Sequence, residues 1–295
     1  MSKKKIHFIV NPISGKGKNL LDEIILSRYF EEEQFEIKVL LTTGPDHATA
    51  LALASLEENA DVIVACGGDG TISEVASCLV GEKARLGIIP FGSGNGLASN
   101  LGIPKKLDLA LALIKKGKVK KMDVGQINDQ FFFSNMGLGF DACLIQNFDK
   151  LKKRQLYGYI RASWETLKNF KNLQEVTIAS KEFNISTNPF LVFISNSNML
   201  GYGFSLTPEA KLEDGLLDVL IVEQLSKSRV LLLGFLLLMG KVKSMKEVKY
   251  FQLKNLSISS SRSIPAIQKD GCQFKPNAQK LDISILPQQL SVIVP

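Results

Sequence analysis

Histidine is almost absent from this chain, with two residues in 295, and the four cysteines, Cys66, Cys78, Cys143 and Cys272, follow neither metal-ligand nor disulfide-framework spacing. A zinc centre and a disulfide-stapled secreted fold are both excluded, and a cytoplasmic setting is expected. No stretch reaches the approximately 20 apolar residues that span a bilayer. The start, Met1-Ser2-Lys3-Lys4-Lys5-Ile6, leads into a strand rather than a signal-peptide core, so no transmembrane segment is expected. Internal repeats and low-complexity linkers are missing too. The aromatic residues lie mostly inside apolar runs such as Phe131-Phe132-Phe133, which leaves little surface for stacking nucleic-acid bases.

What is present is ample apolar material, 45% of residues, in a chain long enough for two hydrophobic cores. Extensive disorder is thereby disfavoured. The formal net charge of +7 suits anionic partners, whether nucleotides, nucleic acid or an acidic membrane, without choosing among them.

The first 120 residues alternate β-branched runs (Ile6 to Val10, Ile37 to Leu41, Val62 to Ala65, Leu86 to Ile89) with helical spacing (Leu20 to Phe30, Ala48 to Glu58, Ile72 to Leu79). That alternation predicts an open, mostly parallel α/β sheet covered by helices. After Lys118 the rhythm changes to short strand-like runs at Lys120 to Val124, Gln130 to Ser134, Glu175 to Ala179, Phe190 to Ser195, Leu217 to Val222, Val248 to Leu253 and Leu256 to Ser260. A second, largely antiparallel domain is expected there, interrupted by helices around Tyr157 to Phe170 and Ser228 to Met239, with the boundary near Asp123.

Glycine-rich turns follow three of the first-domain strands. Gly67-Gly68-Asp69-Gly70-Thr71 stands where a buried strand hands over to a helix, and its glycines let the backbone approach a phosphate whose oxygens face exposed amides. Asp69 would repel a bare phosphate, so it points to a magnesium ion or to a hydroxyl that loses its proton, unless it merely caps the helix. Asn11-Pro12-Ile13-Ser14-Gly15-Lys16-Gly17 lacks the P-loop spacing, yet Ser14, Gly15 and Gly17 suit wrapping a nucleotide phosphate, with Lys16 adding charge. In Gly92-Ser93-Gly94-Asn95-Gly96-Leu97-Ala98, the Asn95 amide suits fixing a phosphate loop or a ligand hydroxyl, or stabilising a turn. Ligands of open α/β sheets bind outside the strand C-termini, so the three turns are expected to converge.

Other candidates are more isolated. Asp123 closes a basic segment at the expected domain junction and suits magnesium or a reacting hydroxyl, or an ordinary surface turn. His47 opens a helix and can donate a hydrogen bond near the crevice, whereas His7 inside the first strand reads as packing. Asp214, in Asp214-Gly215-Leu216-Leu217-Asp218, suits holding a hard cation with the carbonyls of Lys211 and Leu216; a metal-free Asp-Gly turn is the alternative. The apolar run Arg229 to Met239, flanked by Lys227, Lys241, Lys243 and Lys246, suits an acyl-chain pocket, a membrane interface or a buried core helix.

Taken in order, Asn11-Pro12-Ile13-Ser14-Gly15, Thr43-Gly44-Pro45-Asp46-His47-Ala48, Gly67 to Thr71 followed by Glu74-Val75, Gly92 to Ala98, and Asp214 to Asp218 resemble the diacylglycerol kinase catalytic-domain family, which includes bacterial lipid kinases and sphingosine kinases and shares a superfamily with NAD kinases. The resemblance covers nearly the whole chain. It implies an N-terminal ATP-binding α/β domain over 1–124, completed by 286–295, and a β-sandwich-like lipid domain over 125–285. ATP would be held by Asn11, Ser14, Gly15, Lys16, Gly17, Thr43, His47, Gly67, Gly68, Asp69, Gly70, Thr71, Gly92, Ser93, Gly94 and Asn95. Asp69 and Asp123 would organise magnesium, phosphate or water, and Asp214 with the carbonyls of Lys211 and Leu216 matches the family's structural-magnesium pattern. A lipid substrate is implied, with peripheral contact at the inner face of an anionic membrane.

One position departs from the family. Ile267-Gln268-Lys269-Asp270-Gly271-Cys272 carries Cys272 where the family commonly has the glutamate of Asp-Gly-Glu, proposed to take the proton of the substrate hydroxyl. A thiol with an ordinary pKa near about 8.5 is a different proton acceptor, and Asp270 is the nearest carboxylate. Three functions follow as expectations: an ATP-dependent lipid kinase, an NAD kinase-like enzyme acting on a soluble nucleotide, or a catalytically weak lipid- or nucleotide-binding regulator.

Overall fold

The computed structural model describes residues 3–15, 21–92, 94–150, 156–170, 173–199 and 205–295. The chain divides into two compact units, Met1–Val124 with Pro287–Pro295, and Gly125–Leu286.

In the first unit the elements are β1 (Lys4–Val10), α1 (Glu23–Ser27), β2 (Phe35–Leu41), α2 (His47–Glu57), β3 (Val62–Gly67), α3 (Asp69–Cys78), β4 (Arg85–Pro90), α4 (Gly96–Asn100), α5 (Leu107–Lys116) and most of β5 (Lys118–Ile127). The parallel strands lie in the order β2-β1-β3-β4, with Phe8 level with Val39 on one side and Val64 on the other. Every residue of β3 is buried, as a strand covered on both faces requires. Ile6, Phe8, Val10, Val62, Val64 and Cys66 share one core with Leu26 and Phe30 and with Ala110, Leu111 and Ile114 of α5. The opposite face of the sheet is covered by α3, against which α2 packs. His7 is buried within β1, its Nε2 3.8 Å from Glu58. At the end of the chain Val292 pairs in parallel with Leu86.

Two helices differ from the sequence spacing. The helix expected over Leu20 to Phe30 is only five residues, because Asp22 starts it by accepting from the Ile25 amide at 2.8 Å and the chain then tightens around Leu26 to seat Phe30 edge-on against Phe8. The helix α5 was not expected. Its apolar run Leu107 to Ile114 is nearly continuous, and only Ala110, Leu111 and Ile114 turn inward.

The second unit contains β6 (Gln130–Phe132), β7 (Asn135–Gly139), α6 (Phe140–Asp149), α7 (Leu156–Asn169), β8 (Val176–Ala179), β9 (Asn184–Thr187), β10 (Leu191–Ser195), β11 (Leu217–Val222), α8 (Lys227–Leu238), β12 (Val248–Leu253), β13 (Asn255–Ser259), β14 (Ile267–Lys269), β15 (Cys272–Phe274) and the first part, residues 280–286, of β16 (Lys280–Val294). One antiparallel sheet runs β12-β11-β10-β7-β14-β15; against it lies a second antiparallel arrangement in which β13 pairs with both β8 and residues 280–284 of β16. The side chains between them form a single core, from Met136, Leu138, Val192, Ile194, Leu217, Val219 and Ile221 on one side to Val176, Ile178, Ile258, Leu281 and Ile283 on the other. Alternate residues of β10 and β11 face the other way, where Phe193, Leu220 and Val222 pack with Phe190, Leu233, Val242 and Met245. The sheet is thus buried on both faces, and α8 forms part of its outer cover.

Candidate active site

The parallel strands β1, β3 and β4 end side by side, at Val10, Gly67 and Pro90, and the three glycine-rich turns begin there. Their backbones are stitched together: the Asn11 amide donates to the Cys66 carbonyl at 2.9 Å, and the Phe91 amide to the Gly67 carbonyl at 2.8 Å. Asn11 Nδ2 also donates to Thr71 Oγ1 at 3.2 Å. A Cβ on Gly92 would stand 2.6 Å from Gly68 Cα, so the second and third turns come this close because residue 92 is glycine. A Cβ on Gly68 would also lie 3.8 Å from Ser14 Oγ of the first turn. Ser14, Gly15, Gly67, Gly68, Gly70, Thr71, Gly92, Gly94 and Asn95 therefore lie on neighbouring turns at these strand ends, with Gly15 exposed and Gly67, Thr71 and Asn95 buried. Lys16, Gly17 and Ser93 lie outside the described residues.

Asp69 is partly buried, and its carboxylate spans the gap between turns. Oδ2 accepts from the Asn95 amide at 2.8 Å and Oδ1 from the Gly96 amide at 2.9 Å. The residue opens α3, yet it caps the N-terminus of α4. Burial pushes its carboxyl above the usual range while these amides pull it back. Glu74, one turn further along α3, does the same for α2, with Oε2 accepting from the Ala48 amide at 3.1 Å. Asn95 itself adopts a left-handed conformation (φ 52°) and donates from Nδ2 to the Gly92 carbonyl at 2.5 Å. Its Oδ1 is buried with no partner among the described residues, an acceptor suited to a ligand donor.

Thr43 and His47 form a separate pair at the start of α2. The Thr43 amide donates to His47 Nδ1 at 3.0 Å, which places any ring proton of the neutral imidazole on Nε2. Asp123 is fully buried, and its Oδ1 accepts from the Gln288 amide at 2.8 Å.

In the second unit a different polar cluster surrounds the β14–β15 hairpin. Lys269 and Cys272 are cross-strand partners, and Asp270 (φ 48°) with Gly271 (φ 79°) makes the two-residue turn between them. The Asp270 carboxylate accepts from the amides of Phe133 (2.9 Å), Ser134 (2.7 Å) and Asn135 (3.2 Å). Asp270 thus lies in the turn of the hairpin, and its carboxylate anchors that turn to residues 133–135. Cys272 is exposed.

Two residues here, Gln268 and Asp141, were not singled out as site candidates from sequence. Gln268 Nε2 donates to Asn135 Oδ1 at 2.6 Å and its Oε1 accepts from the Gly271 amide at 2.9 Å. Asp141, in the first turn of α6, is buried, with Oδ2 unpartnered among the described residues and lying where a Cβ on Gly137 would be 2.1 Å away. Burial pushes its carboxyl up to about 6, against the opposing effect of Gln268. A carboxyl poised there can hold or release a proton near neutral pH. The signal available was Gly137-Leu138-Gly139-Phe140-Asp141, a second glycine-rich strand-to-helix hand-over.

The turn before β11 holds the remaining candidates. Asp214 Oδ1 accepts from the Leu216 amide at 3.0 Å around Gly215 (φ 69°). Asp218, buried at the start of β11, accepts from Tyr250 and Gln252 through Oδ1, while Oδ2 has no partner among the described residues. Its carboxyl is pushed up to about 6, first by burial and further by the charges of Asp214 and Glu209. Lys243, ion-paired with Glu209 at 2.7 Å, opposes that field, and among the described residues no group of three or more acidic, histidine or cysteine side chains is placed to hold a metal ion.

Two family descriptions match this chain: the diacylglycerol kinase catalytic domain over residues 5–127, and the YegS C-terminal NAD kinase beta sandwich-like domain over residues 134–294. The chain belongs to the diacylglycerol kinase family. Among its relatives, a diacylglycerol kinase of Staphylococcus saprophyticus is 30% identical over 266 residues, covering 88% of this chain and 86% of that protein. A probable lipid kinase YegS-like protein of Klebsiella pneumoniae is 32% identical over 71% of this chain and 72% of its own. A diacylglycerol kinase structure from Bacillus anthracis aligns with 100% of this chain and 98% of its own, at a TM-score of 0.73 and 22% identity. A yeast NADH kinase shares the fold more distantly, at a TM-score of 0.52 and 10% identity over 99% of this chain and 83% of its own. The family and the mixed architecture read from the sequence, a parallel α/β sheet and an antiparallel sandwich, are both shown.

Proposed function

We propose that this member of the diacylglycerol kinase family is an ATP-dependent lipid kinase that transfers the terminal phosphoryl group to a hydroxyl of diacylglycerol, a sphingoid base or a related lipid. The convergence of the strand-end turns supports this reading: the backbones of Gly68 and Gly92 come together where a Cβ on Gly92 would stand 2.6 Å from Gly68 Cα, the close glycine backbone that a triphosphate cradle uses. In the reaction the acceptor oxygen bonds to the terminal phosphorus, the bond to the bridging oxygen breaks, ADP leaves, and the acceptor hydroxyl gives up its proton.

The residues supply mainly position and charge complementarity, since a loose phosphoryl-transfer transition state needs little covalent help. The amides around Ser14, Gly68 and Gly92 orient the phosphates, and Asp69 holds the third turn in the shape that presents them. Magnesium, when bound with the nucleotide, neutralises charge on the phosphate oxygens. Asp214 with the carbonyls of Lys211 and Leu216 would hold a second, structural ion. Thr43 and His47 are assigned to the nucleotide, and Asp123 keeps its assignment to organising magnesium, phosphate or water. In the second unit Asp141 is a carboxyl tuned to handle a proton near neutral pH, and Cys272 stands where the family commonly has a carboxylate. Localisation would be cytoplasmic with peripheral contact at an anionic membrane.

Purified protein assayed for ATP consumption against a panel of dispersed lipids is the direct test. Magnesium-dependent phosphorylation of at least one lipid is expected, and no turnover with any of them would overturn the assignment. A second reading, a nucleotide- and lipid-binding protein with weak catalysis, is favoured by Cys272 alone. ATP and lipid binding without turnover would establish it, while saturable phosphorylation of NAD would point to the soluble-nucleotide branch.

A further inference from the structure

The helix α8 has two apolar faces, and the fold uses one. Leu233 is buried, and Val230, Leu236 and Leu237 pack beside it on the outer cluster of the second unit. On the other side Leu231 (61% exposed), Phe235 (59%) and Leu238 (69%) face outward, followed by Met239 (53%) at the helix end. The spacing, i, i+4, i+7 and i+8, makes one continuous stripe. No other element among the described residues carries more than one exposed large apolar side chain.

Charge around the stripe is of one sign. Residues 224–246 contain Lys227, Arg229, Lys241, Lys243 and Lys246 and no aspartate or glutamate. Arg229 and Lys243 are committed to Glu247 and Glu209, while Lys227, Lys241 and Lys246 are exposed beside the two ends of the stripe. Lys227 and Arg229 stand in the first turn, where the helix dipole favours acidic residues, so this pattern does not serve helix stability. An apolar stripe bounded by lysines is the complement of an anionic lipid surface. A second copy of the chain fits it poorly, because a twofold contact through this face would bring like charges together with no acid in the segment to answer them. Twelve residues extend only about 18 Å, so the helix would lie in the interface rather than cross it.

We propose that α8 is the surface by which this protein rests on an anionic bilayer, with Leu231, Phe235, Leu238 and Met239 entering the boundary between headgroups and acyl chains and Lys227, Lys241 and Lys246 meeting the lipid phosphates. The proposal rests on the lipid-kinase reading only in giving that enzyme its source of substrate; binding itself requires neither ATP nor turnover.

Co-sedimentation with phosphatidylcholine vesicles, with and without phosphatidylglycerol, tests it without nucleotide. Leu231→Ser combined with Phe235→Ser should lower partitioning on the order of 100-fold, with an unchanged melting profile because both side chains are exposed. The triple change of Lys227, Lys241 and Lys246 to Gln should cause a loss of similar order on the anionic vesicles and little on the neutral ones. Since Trp164 is the single tryptophan, Trp164→Phe with Phe235→Trp places a reporter on the stripe, and its emission should shift to the blue on anionic vesicles. Unchanged partitioning in both sets of variants, or an unshifted emission, would overturn the proposal. So would a wild-type dimer that the serine variant dissociates while vesicle binding persists, which would assign the stripe to a second copy; saturable capture of a protein segment there with no vesicle binding would overturn it as well. Turnover of a detergent-dispersed short-chain lipid, assayed separately, should survive in the α8 variants. Its absence in the wild type would defeat the kinase reading and leave the vesicle result standing.

Discussion

The carboxylate of Asp69 accepts the backbone amide of Asn95 at 2.8 Å, so the acid in one glycine-rich turn shapes the next. This gives Asp69 a positioning duty alongside whatever contact it makes with a bound metal or phosphate.

Asp69→Asn keeps the size but turns one acceptor into a donor that faces a backbone amide. A loss of about 1–3 kcal/mol in stability is expected. Nucleotide affinity should fall more steeply than stability explains. Urea unfolding together with calorimetric titration of ATP checks both, and an unchanged affinity would show that the third turn holds its shape without the acid.

Gly92→Ala places a methyl 2.6 Å from Gly68 Cα and 2.7 Å from Asn95 Oδ1, among atoms with little freedom to move. ATP binding should weaken at least about tenfold, with a stability cost of about 1–3 kcal/mol. Gly44→Ala is the comparison, because a Cβ there meets nothing within 4 Å, and its melting profile should be close to that of the wild type.

Asp141 offers a pH signature. Its folded pKa, raised to about 6, exceeds the ordinary aspartate value, so between about pH 4 and pH 6 the folded state binds more protons than the unfolded one. Stability from this group is therefore present at low pH and lost as pH rises through 6, by up to about 3 kcal/mol. Asp141→Asn should remove that slope and be the more stable protein at pH 7, with the gap narrowing toward pH 4. Denaturant midpoints for both proteins across that range decide it; parallel curves would show that Asp141 is ionised throughout. If Asp141 handles a proton in turnover, the more stable variant will also be the slower one.

Cys272→Glu puts a carboxylate on an exposed strand position beside an anchored turn, so the fold should tolerate it. Given measurable wild-type turnover, a rise of about tenfold or more is expected if proton acceptance limits the rate. An unchanged rate with a flat pH profile would mean that another group, or water, takes the proton.

Much of this fold is visible in the sequence for identifiable reasons. The strand β3 is a continuous apolar run closed by two glycines, and β10 and β11 are apolar apart from Ser195 and Asp218 because both faces of their sheet are covered. The edge strand β9, Asn184–Thr187, has no buried position to give it a pattern, and β14 and β15 have three residues each. The helix α6 was hidden behind its glycine-rich entry, whose meaning depends on Gly137 clearing space for Asp141. The α8 segment read equally as core and as interface because it has a face for each. Motif residues were legible because their types and spacing carry the chemistry. Asp141 and Asp218 were not, since their carboxyls are raised by burial, which depends on how elements distant in sequence pack around them.

Glu74 and Asp69 both project from α3 to hold the starts of α2 and α4. Asp46 before α2 and Asn95 before α4 make no side-chain cap of their own, so neither start is a self-sufficient module. Grafted into another scaffold without α3, the segment around Asn95 would lose its conformation even with every glycine in place. In descent, changes at 69 and in the 92–96 loop should be accepted together or not at all.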